Sequence, residues 1–356
     1  MKIVQVVTQM ESGGAQRVAM LLNEALLDRG YDAEVWFLYL KRPTYTGFPG
    51  VRVLFGHKPA GLDYFKIAIK LQEMVRSHRP NVFITHTHYA NIIGQLTARF
   101  CGINNRIAVQ HNPVQTCPKV AKWVDWLFGT TDIYSANIAV SRVVIDSVAK
   151  YPRRYQQRLK QIYNGIPQIG SPNLGQTVRG NWQLPEHAPL LINVGRLARQ
   201  KNHVTLINSL QYLPDAHLLL IGDGELRADV EAQIVALKLE SRVHVLGELK
   251  SADVLDLMAT ADVFVFPSLY EAMPMALIEA MGSGLPVVGG DIPAMREVLG
   301  DAGIIVPSES AVEIASAVQR VLDSPELTQQ LKQASIDRAA LFSVAKMVES
   351  YERLFN

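Results

Sequence analysis

The chain has 356 residues, 48% of them hydrophobic and 19% charged, with a formal net charge of +2. That composition excludes a disordered or fibrous chain. The length exceeds what one ordinary core accommodates, so two domains are expected. The near-neutral sum conceals an asymmetry. Residues 1–167 carry 21 Lys+Arg against 10 Asp+Glu (+11), and the remainder carries 14 against 23 (−9), which recovers +2. A basic first half is expected to meet something anionic; no nucleic-acid partner is expected. The two cysteines, Cys101 and Cys117, have no metal-ligand spacing around them. That usage fits a reducing, cytoplasmic setting. Met1-Lys2 leads straight into a strand pattern, so no secretory leader is expected, and no run of about 18 apolar residues offers a membrane span.

Strand-like and helix-like segments alternate throughout. The first half offers strands at Ile3–Val7, Ala33–Leu38, Val51–Leu54, Val82–Thr85, Arg106–Val109 and Asn137–Val140. The second offers Leu190–Val194, His217–Ile221, Arg242–Leu246, Val263–Phe266, Pro286–Val288 and Ile304–Val306. Helical stretches such as Ala15–Arg29 and Ser251–Ala259 lie between them. Continuous Val/Ile/Leu strands separated by helices predict parallel sheets covered on both faces. Two such series predict an α/β chain of two doubly wound, Rossmann-like domains facing across a cleft, with ligands beyond the strands' carboxyl ends. The break falls at Ile166–Gly180, a Pro/Gly/Ser/Asn-rich stretch after Asn164-Gly165.

Several positions carry candidate chemistry. Gly13-Gly14 joins the first strand to the first helix, either as a plain turn or to let backbone approach a ligand. The pattern is not G-x-G-x-x-G, and no acidic residue closes the second strand, which argues against a dinucleotide cofactor. Leu62–His78 reads as an amphipathic helix with Phe65, Ile69 and Met74 beside Lys66, Lys70, Arg76 and Arg79. It is either a solvated face or a dock for anionic lipid. His86 and His88 have metal-like spacing but no obvious third ligand, and no metal is expected. His111, after the fifth strand, is placed to meet a substrate hydroxyl or developing charge, or is structural. Arg153, Arg154, Arg158 and Lys160 form a basic cluster.

In the second half, Gly195-Arg196 follows a strand and Lys201 lies shortly after. Two cations at a strand's carboxyl end suit a pyrophosphate, or are ordinary surface charge. Gly222-Asp223-Gly224 reads as a turn, and the strand after it ends at Leu246-Gly247, whose backbone could meet a flat base. The segment Pro267–Gly284 places Glu271 and Glu279 across the start of an apolar helix. A strand, a turn and a helix N-terminus present unpaired amides to an anion. With a carboxylate at each side, the set suits a sugar nucleotide. The plainer reading has Glu271 capping the helix that Pro274 starts and Glu279 on the surface.

This ordered series resembles the retaining GT-B glycosyltransferases of family four, related to glycogen synthase. The resemblance covers nearly the whole chain, through Gly13-Gly14, His111, Asn164-Gly165, Gly195-Arg196 with Lys201, Gly222-Asp223-Gly224, and Glu271 with Glu279-Ala280-Met281. It implies residues 1–167 as an acceptor-side domain, 168–342 as the nucleotide-sugar domain, and a last helix near Val344–Leu354 returning to the first. It implies that Gly13 and Gly14 approach the donor, with Gly195, Gly222 and Gly224 in the donor site. Arg196 and Lys201 would neutralise the diphosphate and Glu271 hold the sugar hydroxyls. Glu279 would bind the ribose, Leu246 lie beside the base, and His111 sit over the sugar. Amides around Met273, Pro274 and Met275 would meet sugar or phosphate, although Pro274 removes one donor that relatives have. The implied reaction is transfer from a nucleoside-diphosphate sugar, UDP first and GDP next, to a glycan or lipid-linked acceptor. The implied route is front-face attack with retained configuration, without cofactor or metal. A nucleotide-sugar epimerase and a non-catalytic sugar-binding protein are the alternatives.

Overall fold

The strands form where β-branched and aliphatic runs can be buried on both faces. The computed structural model describes residues 1–169 and 175–355. These divide into two compact units, Met1–Pro167 with Ser343–Asn356, and Gln168–Phe342. The first unit holds β1 (Lys2–Met10), β2 (Asp32–Leu40), β3 (Val51–Phe55), β4 (Val82–His86), β5 (Asn105–Gln110), β6 (Ala136–Ala139) and β7 (Leu159–Gln161). They form one sheet in the order β3-β2-β1-β4-β5-β6-β7, parallel throughout. The second unit holds β8 (Leu190–Val194), β9 (His217–Ile221), β10 (Val243–Gly247), β11 (Val263–Phe266), β12 (Val287–Gly290) and β13 (Ile304–Val306). Its order is β10-β9-β8-β11-β12-β13, again parallel. Both orders reverse beside their first strand, so this is the doubly wound α/β arrangement, twice over.

In the first unit, helix α1 (Gly14–Asp28) covers one face of the sheet through Ala19, which packs with Val7, Val35 and Phe37. Helices α2 (Asp63–His78) and α3 (His88–Phe100) cover the other, where Ile67, Leu71, Val75, Ala90 and Ala98 meet Val4, Val6, Trp36 and Phe83. The core stripe of α2 is Ile67, Leu71 and Val75, and the three apolar residues singled out in the sequence, Phe65, Ile69 and Met74, do not share one face. Phe65 and Ile69 point outward, 68% and 43% exposed, beside exposed Lys66 and Lys70. Met74 lies on the opposite side and packs partly into the core, because nine residues at about 100° each turn it half a revolution from Phe65.

Two features depart from the sequence reading. The basic cluster is a short helix, Arg153–Arg158, followed by the seventh strand, which the pattern did not reveal. Lys160 pairs with Ile138 on that edge strand, where a lysine discourages edge-to-edge association. The stretch expected to be featureless, 166–180, includes 170–174, which lie outside the described residues. Gly175–Asn181 is helical. The segment from Ser343 onward packs with the first unit. Helix Val344–Glu352 lies against α1, and Asn105 Nδ2 donates to the Leu354 carbonyl at 2.6 Å. A Cβ on Gly165 would lie 2.6 Å from the Val344 backbone, so this crossing demands glycine.

Candidate functional site

The two units each gather the expected residues at the carboxyl ends of their central strands. In the first unit, β1 runs into Gly13, the N-cap of α1, whose first turn no side chain caps. A Cβ on Gly13 would meet only the far end of Gln16, 2.6 Å away, which can move. At the end of the neighbouring β4, Thr87 takes φ +74, a conformation that a β-branched residue adopts only under strain. Its hydroxyl lies 2.6 Å from that of Thr8 on β1, and Thr8 also accepts from the Ala90 amide at 3.1 Å.

This strained residue separates the two histidines. His86 is wholly buried; its Nδ1 lies 3.0 Å from His111 Nε2, and its Nε2 lies 3.0 Å from Gln5 Oε1. Burial, then His111, holds His86 well below the usual histidine range. Burial, then His88, pushes His111 down to about 3. Both rings are therefore neutral at physiological pH. His88 turns elsewhere, with Nδ1 3.5 Å from Cys117 Sγ. The His-x-His pair thus diverges. Among the described residues no group of three or more His, Cys, Asp or Glu side chains is placed to hold a metal ion.

Beside His88 lies a pocket lined by Asn91, Gln110, Cys117, Asp125, Tyr134 and Tyr155. Asp125 sits on helix α4 (Lys119–Thr130) and accepts from Gln110 Nε2 at 2.6 Å, Tyr155 at 2.8 Å and Tyr134 at 3.1 Å. Burial pushes its carboxyl up to about 6 against the pull of those donors. The sequence reading missed it. Its signal was position: with Ala121 and Phe128 it follows helical spacing along the stripe that α4 buries.

In the second unit, β8 and β11 are neighbours. The chain leaves β8 through Gly195 and returns in a 3₁₀ turn that carries Lys201. Lys201 Nζ lies over the Phe266 ring, 4.4 Å from its centroid, and donates to Glu271 Oε1 at 2.7 Å. Their side chains are only 15% and 8% exposed, so this is an ion pair largely removed from water. Gly195 makes room for it: a Cβ there would lie 2.9 Å from Lys201 Cε. Gly222, at φ +134, would place a Cβ 2.1 Å from the Gly195 carbonyl oxygen. Gly224 would place one 2.4 Å from the Leu197 carbonyl oxygen. These two glycines bring the end of β9 against the loop that carries Arg196, and the Leu197 amide donates to the Asp223 carbonyl at 3.1 Å. Leu246 is half-buried, and Gly247, next to it, accepts from the Gly222 amide at 2.8 Å.

Arg196 stands apart from the ion pair. Its side chain is 66% exposed, with Nε 3.9 Å from Glu225. The plainer readings of both carboxylates fail. Glu271 lies in the turn before helix Met275–Gly282 and does not cap it; Pro274 is the N-cap, and no side chain caps that helix. Glu279, on the helix, is 4% exposed, so it is not a surface residue. Met273 and Pro274 are buried and Met275 half-buried around the helix start, where the N-cap Pro274 offers no capping side chain.

Two family models match the chain: "Glycosyl transferases group 1" over residues 176–338 and "Glycosyltransferase Family 4" over 12–168. An uncharacterised glycosyltransferase of Methanocaldococcus jannaschii is 30% identical over 326 residues, 85% of this chain and 83% of that one. The UDP-Gal:alpha-D-GlcNAc-diphosphoundecaprenol alpha-1,3-galactosyltransferase of Escherichia coli is 24% identical over 310 residues, 82% of this chain and 79% of that one. Among solved structures, Anabaena HepE in complex with UDP and glucose superposes with a TM-score of 0.87 at 20% identity, over 99% of this chain and 98% of that one.

Proposed function

The chain belongs to the GT-B glycosyltransferases of the family-four type, and we propose that it moves a sugar, with retained configuration, from a nucleoside diphosphate to a glycan or lipid-linked acceptor. The observation that carries this reading is the Lys201–Glu271 pair at the carboxyl ends of β8 and β11. An ammonium held out of water is worth more to an incoming anion than one in solvent. Its carboxylate partner is within reach of hydroxyls on the same ligand. Lys201 and Arg196 neutralise the departing diphosphate, and the first amides of helix Met275–Gly282 add donors without a metal. Glu271 takes hydroxyls of the transferred sugar, Glu279 those of the ribose, and the backbone beside Leu246 takes the base. His111, with Gly13-Gly14, attends the sugar and acceptor. The acceptor attacks on the face the leaving group departs from, and a diphosphate oxygen takes its proton.

UDP is the first choice of nucleotide, supported by the name of the Escherichia coli relative and by the UDP in HepE. That relative's lipid-diphosphate acceptor supports one of the same class here, in polysaccharide or glycolipid synthesis. No helix among the described residues is long and apolar enough to cross a membrane. A lipid acceptor would then be met at the surface, and exposed apolar residues beside cations supply the contact. These are Leu62, just before α2, and Phe65 with Lys66 on it, and Val120 and Trp123 with Lys119 and Lys122 on α4. Screening nucleotide sugars for transfer, read as nucleotide release, tests the reaction. Release from a UDP-sugar supports the reading; no release from any nucleotide sugar with any acceptor lipid removes it. Cosedimentation with anionic vesicles at low salt tests the contact, and protein left in the supernatant removes that part.

A further inference from the structure

Behind His111, the first unit contains a chain of polar groups to which the proposed reaction gives no role. It runs from His111 through His86 to Gln5 and ends on the backbone of α1. Gln5 is wholly buried, and its Nε2 donates to the Ala19 carbonyl at 3.0 Å. A carbonyl can only accept, so the amide orientation of Gln5 is fixed, and its Oε1 must be the atom facing His86 Nε2 at 3.0 Å. That oxygen can only accept, so His86 Nε2 carries the proton. A neutral His86 then has a bare Nδ1, and the His111 Nε2 that lies 3.0 Å away must be the donor. The direction of every bond follows from one backbone carbonyl and the neutrality of the buried His86 ring.

We propose that His86 is a positioning residue that locks His111 as its Nε2–H tautomer, so that His111 presents Nδ1 as an acceptor for a ligand hydroxyl. The proposal rests on the assignment of His111 to the sugar made above. His111 cannot donate from a bare Nδ1, and protonating it would place a charge beside neutral His86 in a buried setting. A hydroxyl that donates to Nδ1 is oriented by the ring, while its own oxygen remains free to accept. Thr87, strained at φ +74 and tied to Thr8 at 2.6 Å, holds the backbone from which His86 projects.

The test is long-range proton–nitrogen NMR on the full chain labelled at histidine nitrogens, at neutral pH. Both His86 and His111 are expected as neutral Nε2–H tautomers. His111 found as Nδ1–H, or as imidazolium, overturns the proposal. Gln5→Met removes the oxygen that starts the chain, and His86→Phe removes the acceptor beside His111. In each, His111 should lose its single tautomer, and transfer turnover should fall about tenfold, the worth of one hydrogen bond, with UDP affinity unchanged. A His111 tautomer unchanged in Gln5→Met overturns the relay even if His86→Phe does not fold. Wild-type turnover in His111→Ala would instead remove His111 from the transfer reaction, a failure of the functional assignment that the tautomer spectrum would show separately.

Discussion

The two strand-end clusters use opposite electrostatics at equivalent places in equivalent sheets. In the first unit, groups within β1, at the end of β4 and just past β5 are neutral and mutually committed: Gln5, His86 and His111 fix one another, and burial keeps the rings uncharged. In the second, the groups beyond β8 and β11 are charged and partly desolvated, with Lys201 pressed between Glu271 and the face of Phe266. Neutral donors and acceptors with fixed directions suit reading hydroxyls. A shielded cation suits a leaving group that accumulates negative charge. The proposed division of labour between donor and acceptor chemistry matches the charges each sheet tolerates.

The largest expected effect falls on the charged cluster. Lys201→Ala should cut turnover by two to three orders of magnitude, about 3–4 kcal/mol of transition-state stabilisation, measured against wild type under saturating donor. Turnover within twofold of wild type would mean that the ion pair is only structural. Next comes Gly222→Ala. Its Cβ would stand 2.1 Å from the Gly195 carbonyl oxygen at φ +134, so the loop carrying Arg196 must move. A loss of roughly 2–3 kcal/mol of stability is expected from denaturant unfolding, with activity lost alongside. An unchanged midpoint would show that the loop contact is slack.

The third prediction concerns pH. His203 is 3% exposed with neither ring nitrogen hydrogen-bonded, and burial, then Lys201, pushes it down to about 4. A histidine depressed in the fold contributes stability that is full above its unfolded value and is lost as pH falls toward the folded one. Between about pH 6.5 and 4 the unfolded state binds the extra proton. His203→Leu should therefore resist acid better than wild type by roughly 2–3 kcal/mol at the low end. Asp125, pushed up to about 6, has the reverse sign and stays constant across the pair. Parallel melting-temperature curves for the two proteins would contradict this. The smallest effect belongs to the first unit: Gly13→Ala meets only a movable side chain and should cost no more than about 1 kcal/mol. A cost matching that of Gly222→Ala would erase the contrast between the two glycine turns.

Strand periodicity made the fold legible because both sheets are parallel and buried, so their strands read as unbroken apolar runs. The exception, β7, has the sequence Leu-Lys-Gln; a short, polar edge strand carries no such run and is held by register alone. Lys201 and Glu271 were legible as candidates, but their union was not, since 70 residues separate them and only the β8–β11 adjacency brings them together. The glycines at 222 and 224 read as a turn. Their reason is a neighbouring carbonyl from another strand end, which no local pattern encodes. The link from His86 to His111 was hidden for the same reason: the His-x-His spacing drew attention to two residues that diverge, while the real partner lies just past the end of the adjacent strand.

The most direct test of the account is calorimetric titration of UDP into wild type, Lys201→Ala and His111→Ala. The account predicts that UDP binds wild type and His111→Ala alike and binds Lys201→Ala at least tenfold more weakly, about 1.4 kcal/mol or more. Equal binding by Lys201→Ala, or binding lost only in His111→Ala, would contradict the assignment of the nucleotide to the charged cluster.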